Sequence, residues 1–176
     1  MADVGLLSWL GLRQGDGYPN LDALLKELRK ALPDDESVVL RYIAIVIILL
    51  GKVAWADGRF NAGEEDTLRS LLTHIDRIAP SGVEAVCASL RGQVPRVSDS
   101  ELSLCYRELK ALCDLKERRE VIRLLTRLAA ADGETSEAEH AALETIASEL
   151  GIPDGELESV EEEVARESEN DPHTAG

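Results

Sequence analysis

Aromatic side chains are scarce, at 3% of the 176 residues, with a single Phe, two Trp and three Tyr. A core built without rings must be filled by Leu, Ile, Val and Ala, as packed helices usually are. Basic charge is also short: 19 Lys and Arg stand against 34 Asp and Glu, a formal net charge of −15. Binders of phosphate backbones present a basic face, so no nucleic-acid partner is expected. An acidic surface suits solubility, cations or a basic protein partner. The three cysteines, Cys87, Cys105 and Cys113, form no Cys-x-x-Cys pair, which argues against a zinc site or a redox motif. They are expected to be buried, reduced thiols, with Cys105 and Cys113 on one helix face. No Ser/His/Asp or Cys/His arrangement and no glycine-rich phosphate loop can be found, so no catalytic residue is named and no enzyme activity is expected.

Strand-like alternation is missing as well, and no basic n-region marks a secretory signal, which points to a cytoplasmic protein. One stretch is strongly apolar, Val38 to Ala56, with the uninterrupted run Tyr42 to Leu50 between Arg41 and Lys52. The run is too short to span a bilayer unless the flanking charges are counted in, so a central core helix is the better expectation.

What is present is helical periodicity with start and stop signals. Residues 1–19 hold Leu6, Leu7, Trp9, Leu10 and Leu12 ahead of Gly15-Asp16-Gly17, an amphipathic segment expected to fold back on the domain or to serve as a docking peptide. A first helix is predicted from Asn20, as N-cap, to about Leu32, stopped by Pro33. The long apolar helix follows from Asp34-Asp35-Glu36 to Ala56, closed by Gly58 in the left-handed conformation. Capping-box spacings at Asn61/Glu64, Ser81/Glu84, Ser98/Glu101, Asp114/Glu117 and Ser136/Glu139 predict five more helix starts. A last acidic helix is predicted from Pro153-Asp154-Gly155 to about Arg166, and residues 167–176 are expected to be a disordered tail. The expectation is an all-α bundle of about seven to eight helices, with its domain over residues 20–166.

Within this pattern one phrase occurs twice. Ala54-Trp55-Ala56-Asp57-Gly58 is followed by Glu64, and Ala129-Ala130-Ala131-Asp132-Gly133 by Glu139. A shift of 75 residues aligns Asp57 with Asp132, Glu64 with Glu139, Leu68 with Leu143, and Leu71, Leu72 and Ile75 with Ile146, Ala147 and Leu150. Two copies of one helical unit most simply pack about a pseudo-two-fold axis, each covering the other's apolar face.

Ala-x-Ala-Asp-Gly with a glutamate seven residues after the Asp and a downstream leucine stripe, in two copies, resembles the TerB-like domain family, named for a protein of bacterial tellurite-resistance operons. The resemblance covers about residues 35–150. It implies an all-helical duplicated bundle, acidic positions that bind a divalent metal, and a place in membrane-associated stress complexes beside calcium-binding TerD-like partners. The positions that carry over are Asp57, Glu64, Asp132 and Glu139.

Two readings of these carboxylates stand side by side. In the structural one, Glu64 and Glu139 cap helices and Asp57 and Asp132 shape tight turns, as Asp does before glycine. In the functional one, the two turns are neighbours and four carboxylates converge, which raises their pKa values unless a cation offsets them. Oxygen-only ligands then favour Ca, Mg or Mn. The spacing Glu137-x-x-His140 is that of di-iron bundles, but Ala62-x-x-Glu65 replaces it in the first copy, so His140 and His74 are expected to be exposed helix residues. The chain is thus read as a TerB-like adaptor in a stress-response or envelope-associated complex, cytoplasmic or peripheral at the inner membrane, with a divalent cation as its one candidate cofactor. The alternative is a metal-free interaction module that docks through Trp9 and Leu10.

Overall fold

A computed structural model describes residues 18–58, 62–73, 80–92, 97–131, 133 and 135–170. They form eight α-helices: α1 (Pro19–Ala31), α2 (Ser37–Ala54), α3 (Ala62–Thr73), α4 (Pro80–Gly92), α5 (Asp99–Leu112), α6 (Leu115–Ala129), α7 (Glu137–Glu149) and α8 (Glu156–Asn170). No strand occurs among the described residues, and the all-α bundle expected from the pattern is the architecture found.

The organising element is α2. Its Ile43 to Leu50 are buried without a break, and it packs against α1, α4, α5, α6 and α7. A helix that is apolar on nearly every side is stable only when enclosed, and here five neighbours enclose it. By length and composition it is the one helix among the described residues that could cross a membrane, and 67% of that stretch is buried inside the protein. The second hub, α6, packs on α2, α3, α7 and α8 through Val121, Ile122, Leu125 and Leu128.

Three capping boxes form as expected: Ser98 with Glu101, Asp114 with Glu117, and Ser136 with Glu139 each exchange both hydrogen bonds at the N-terminus of α5, α6 and α7. Two other starts differ. Asn20 is not an N-cap, because Pro19 occupies the first helical turn, where its missing amide costs nothing, and moves the cap to Tyr18. Ser81 lies inside α4, which already includes Pro80, and Glu84 pairs with Arg69 instead of capping. The last helix also outruns its expected end at Arg166 and reaches Asn170, where Glu167 is held by Arg123 and Arg127 of α6. Residues 1–17 of the expected N-terminal segment 1–19, the Asn61 cap, the side chains of Leu71, Leu72 and Ile75, His74, and residues 171–176 of the expected tail 167–176 lie outside the described residues.

Candidate functional site: two Asp-Gly turns and a buried acidic face

Each repeated phrase closes a helix in the same way. At the end of α2 the Trp55 amide donates to the Gly51 carbonyl (3.0 Å), that of Ala56 to Val53 (2.9 Å) and that of Gly58 to Trp55 (3.0 Å). At the end of α6 the Ala130 amide donates to Thr126 (3.0 Å), that of Ala131 to Leu128 (3.1 Å) and that of Gly133 to Ala130 (3.1 Å). The last turn tightens to three-residue spacing and so satisfies carbonyls that an α-helix end leaves open. The chain then reverses through a glycine with positive φ, +79° at Gly58 and +99° at Gly133. This backbone region is open to glycine at little cost and strains other residues.

Of the four carboxylates expected to form a metal site, Asp57 and Glu139 are described and have different surroundings. Asp57 is exposed on its turn. Glu139 is buried, and its Oε2 accepts the Ser136 amide at 2.7 Å, so the capping role expected for it is the one it performs. Glu64 occupies the matching third position of α3, and its side chain, like Asp132, lies outside the described residues. Among the described residues no group of three or more His, Cys, Asp or Glu side chains could hold a metal ion.

A second acidic feature escaped the sequence reading. Glu101 and Glu108, seven residues apart on α5, are 1% and 3% exposed. Glu108 makes a two-pronged ion pair with Arg41 of α2, from Nε to Oε2 and from Nη2 to Oε1 at 2.7 Å. Glu101 does more than close its own capping box. Its Oε1 accepts the amides of Asn20 (3.0 Å) and Leu21 (3.4 Å), and its Oε2 accepts Asn20 Nδ2 (2.9 Å) and the Ser98 amide (3.1 Å). Burial pushes the Glu101 carboxyl up, but the hydrogen bonds from Asn20, Ser98 and Leu21 outweigh it and hold the pKa below the usual glutamate value. The available signal was the seven-residue spacing of two acids on an otherwise apolar face of α5.

The remaining reactive groups are placed for structure. All three thiols are free and buried, as expected from their spacing. Burial pushes Cys105 up to about 12 and also raises Cys87 and Cys113, so thiolate chemistry at neutral pH is suppressed. Tyr106 is likewise pushed up to about 12 by burial. His140 is partly exposed, with Nδ1 2.8 Å from Glu161 of α8 and Nε2 3.6 Å from Glu144. Both ring nitrogens face carboxylates. Along α6, Arg119, Arg123 and Arg127 reach Glu156, Glu163 and Glu167 of α8, a charged seam at helical spacing.

The eight described helices form a bundle around an apolar central helix, with two helix ends closed by the same backbone pattern at Gly58 and Gly133, and define an α-helical domain. The chain belongs to the TerB family: the family model "Tellurite resistance protein TerB" matches residues 43–162, well over half of it. The match extends past the residues where the motif resemblance ends and takes in the first part of α8. No curated protein and no solved structure was found to match the chain.

Proposed function

We propose that this TerB-family chain is a non-enzymatic adaptor that helps assemble a bacterial stress-response or envelope-associated complex, with a divalent cation held by its duplicated Asp-Gly motifs. The observation that carries the reading is the repeat of one hydrogen-bond pattern at Gly58 and Gly133, each with an Asp beside it in sequence. The packing pairs support a duplicated unit: α3 with α4 and α7 with α8, α3 with α6 and α7 with α2, α2 with α4 and α6 with α8. Each pair becomes the other when the halves exchange. Carboxylates gathered around such an exchange axis would take a hard cation, Ca, Mg or Mn, through oxygen alone. The raised thiols and the pairing of His140 with Glu161 and Glu144 support the adaptor reading.

The competing reading is a metal-free helical module that docks through the Trp9-Leu10 segment. It is favoured by one observation, the commitment of Glu139 Oε2 to a backbone amide. Calorimetric titration of Ca, Mg and Mn into the wild type and into Asp57→Ala/Asp132→Ala separates the two. Saturable heat in the wild type that the double variant loses supports the cation site, and absence of both heat and thermal shift in the wild type removes it. For the docking segment, deletion of residues 1–17 is expected to leave the helical melt unchanged and to lower recovery with sedimented membranes. Unchanged recovery refutes a role at the envelope for that segment.

A further inference from the structure

The first helix is held in an unusual way. Leu21, Leu24, Leu28 and Leu32 are at most 3% exposed and follow the i, i+3, i+7, i+11 spacing by which an amphipathic helix anchors in a groove. The groove is the space between α2 and α4, and both helices pack on α1 more extensively than on each other. In the second half the matching helices, α6 and α8, meet directly through the arginine seam. The N-terminus of α1 has no side-chain cap of its own at Tyr18. Its open amides at Asn20 and Leu21 are taken by Glu101, about 80 residues away in sequence, on α5. A carboxylate at a helix N-terminus gains from the exposed amides and from the helix dipole. Because the cap belongs to the receiving surface, any helix that enters with the same direction would be capped by it. The family match starts at residue 43, so α4, Glu101 and most of α2 lie inside the shared scaffold, whereas α1 lies outside it.

We propose that the α2–α4 groove is a helix-docking site of fixed polarity, with Glu101 reading the N-terminus of the bound helix, and that α1 is a built-in ligand that keeps it closed. The partner it fits is an amphipathic helix with leucines at i, i+3 and i+7 and no side-chain cap at its N-terminus. This deepens the adaptor reading by naming its surface. The chain from 32 to 36 tethers α1 to the groove, which gives α1 a high effective concentration over a free competitor. A partner would therefore engage only when α1 is weakened or outcompeted.

The test uses the full-length chain and a labelled synthetic peptide of residues 18–32, followed by fluorescence anisotropy. The Leu24→Asp/Leu28→Asp variant empties the groove and is expected to bind the peptide at least about 100-fold more tightly than the wild type, which holds its own α1 in place. Adding Glu101→Gln to that variant is expected to weaken the peptide about tenfold or more, the usual loss when a charge-assisted hydrogen-bond acceptor is neutralised. A scrambled peptide should not bind. The proposal is overturned if the emptied variant ignores the peptide, or if it binds the scrambled peptide equally. It is also overturned if the variant loses its cooperative helical melt, which would make α1 part of the core and no ligand. None of these outcomes touches the cation titration or the membrane assay, so the adaptor reading can survive its loss.

Discussion

The pair Arg41–Glu108 yields the sharpest stability prediction. Glu108 is 3% exposed and the Arg41 side chain 17%, and the guanidinium meets both carboxylate oxygens. Truncation by Glu108→Ala leaves a largely buried guanidinium without its two-pronged acceptor, a change that costs about 3–5 kcal/mol when the charge is fully buried. Arg41 keeps an edge in solvent and can shift its long stem toward water, so the lower end applies, about 3 kcal/mol. For a chain of this length that corresponds to a fall of about 6–12 °C in Tm. Replacement of both partners, Arg41→Met with Glu108→Leu, removes two desolvated charges together and is expected to return stability to within about 1 kcal/mol of wild type or above it. Urea unfolding followed by circular dichroism on wild type, Arg41→Met, Glu108→Leu and the double variant measures the coupling directly. As an internal contrast, Lys30–Glu27 is 62% and 34% exposed, and Glu27→Ala is expected to change stability by no more than about 0.5 kcal/mol. If Glu108→Ala costs as little as Glu27→Ala, the pair is solvated and the reasoning fails.

Two further outcomes follow from local geometry. A Cβ added at Gly58 or Gly133 would touch nothing within 4 Å, so the cost of alanine there is the positive φ alone. Gly58→Ala and Gly133→Ala are each expected to lower stability by about 1 kcal/mol in urea titrations, and a neutral or stabilising change would contradict the left-handed turns. Glu101 has a pKa below its unfolded value, so its contribution is complete above about pH 4.3, the ordinary glutamate value, and is lost as pH falls through the lower folded value. Urea midpoints measured from pH 7 to pH 3 should therefore fall less steeply at the acid end for Glu101→Gln than for wild type; parallel curves would refute the assignment.

Features that depend on neighbours in sequence were readable in advance. The boxes at Ser98, Asp114 and Ser136 formed because there the helix starts one residue after the cap and its glutamate three residues on reaches back to it. Gly58 and Gly133 adopt the left-handed conformation because the helix must end there and only glycine does so cheaply. Features that depend on distant partners were not readable. Asn20 looked like a cap but bonds Glu101, and Arg41 looked like the charged flank of an apolar run but pairs with Glu108, 67 residues on. Glu84 had the spacing of a cap and was claimed by Arg69. Convergence of carboxylates from two turns belongs to this second kind, since helix crossing, not local spacing, decides it.

The central position of α2 has a consequence for how the chain is made. Of the helices that enclose it, α6 and α7 begin at Leu115 and Glu137, long after Ala54. At ribosomal rates of about 5–20 residues per second, the most apolar segment therefore waits several seconds for its cover. During that interval its length and composition are those of a membrane-spanning segment. The nascent chain must be guarded against aggregation and membrane insertion alike, and α1, made before α2 and packed on it, is a shield among the described residues that is in place before α6 and α7 emerge.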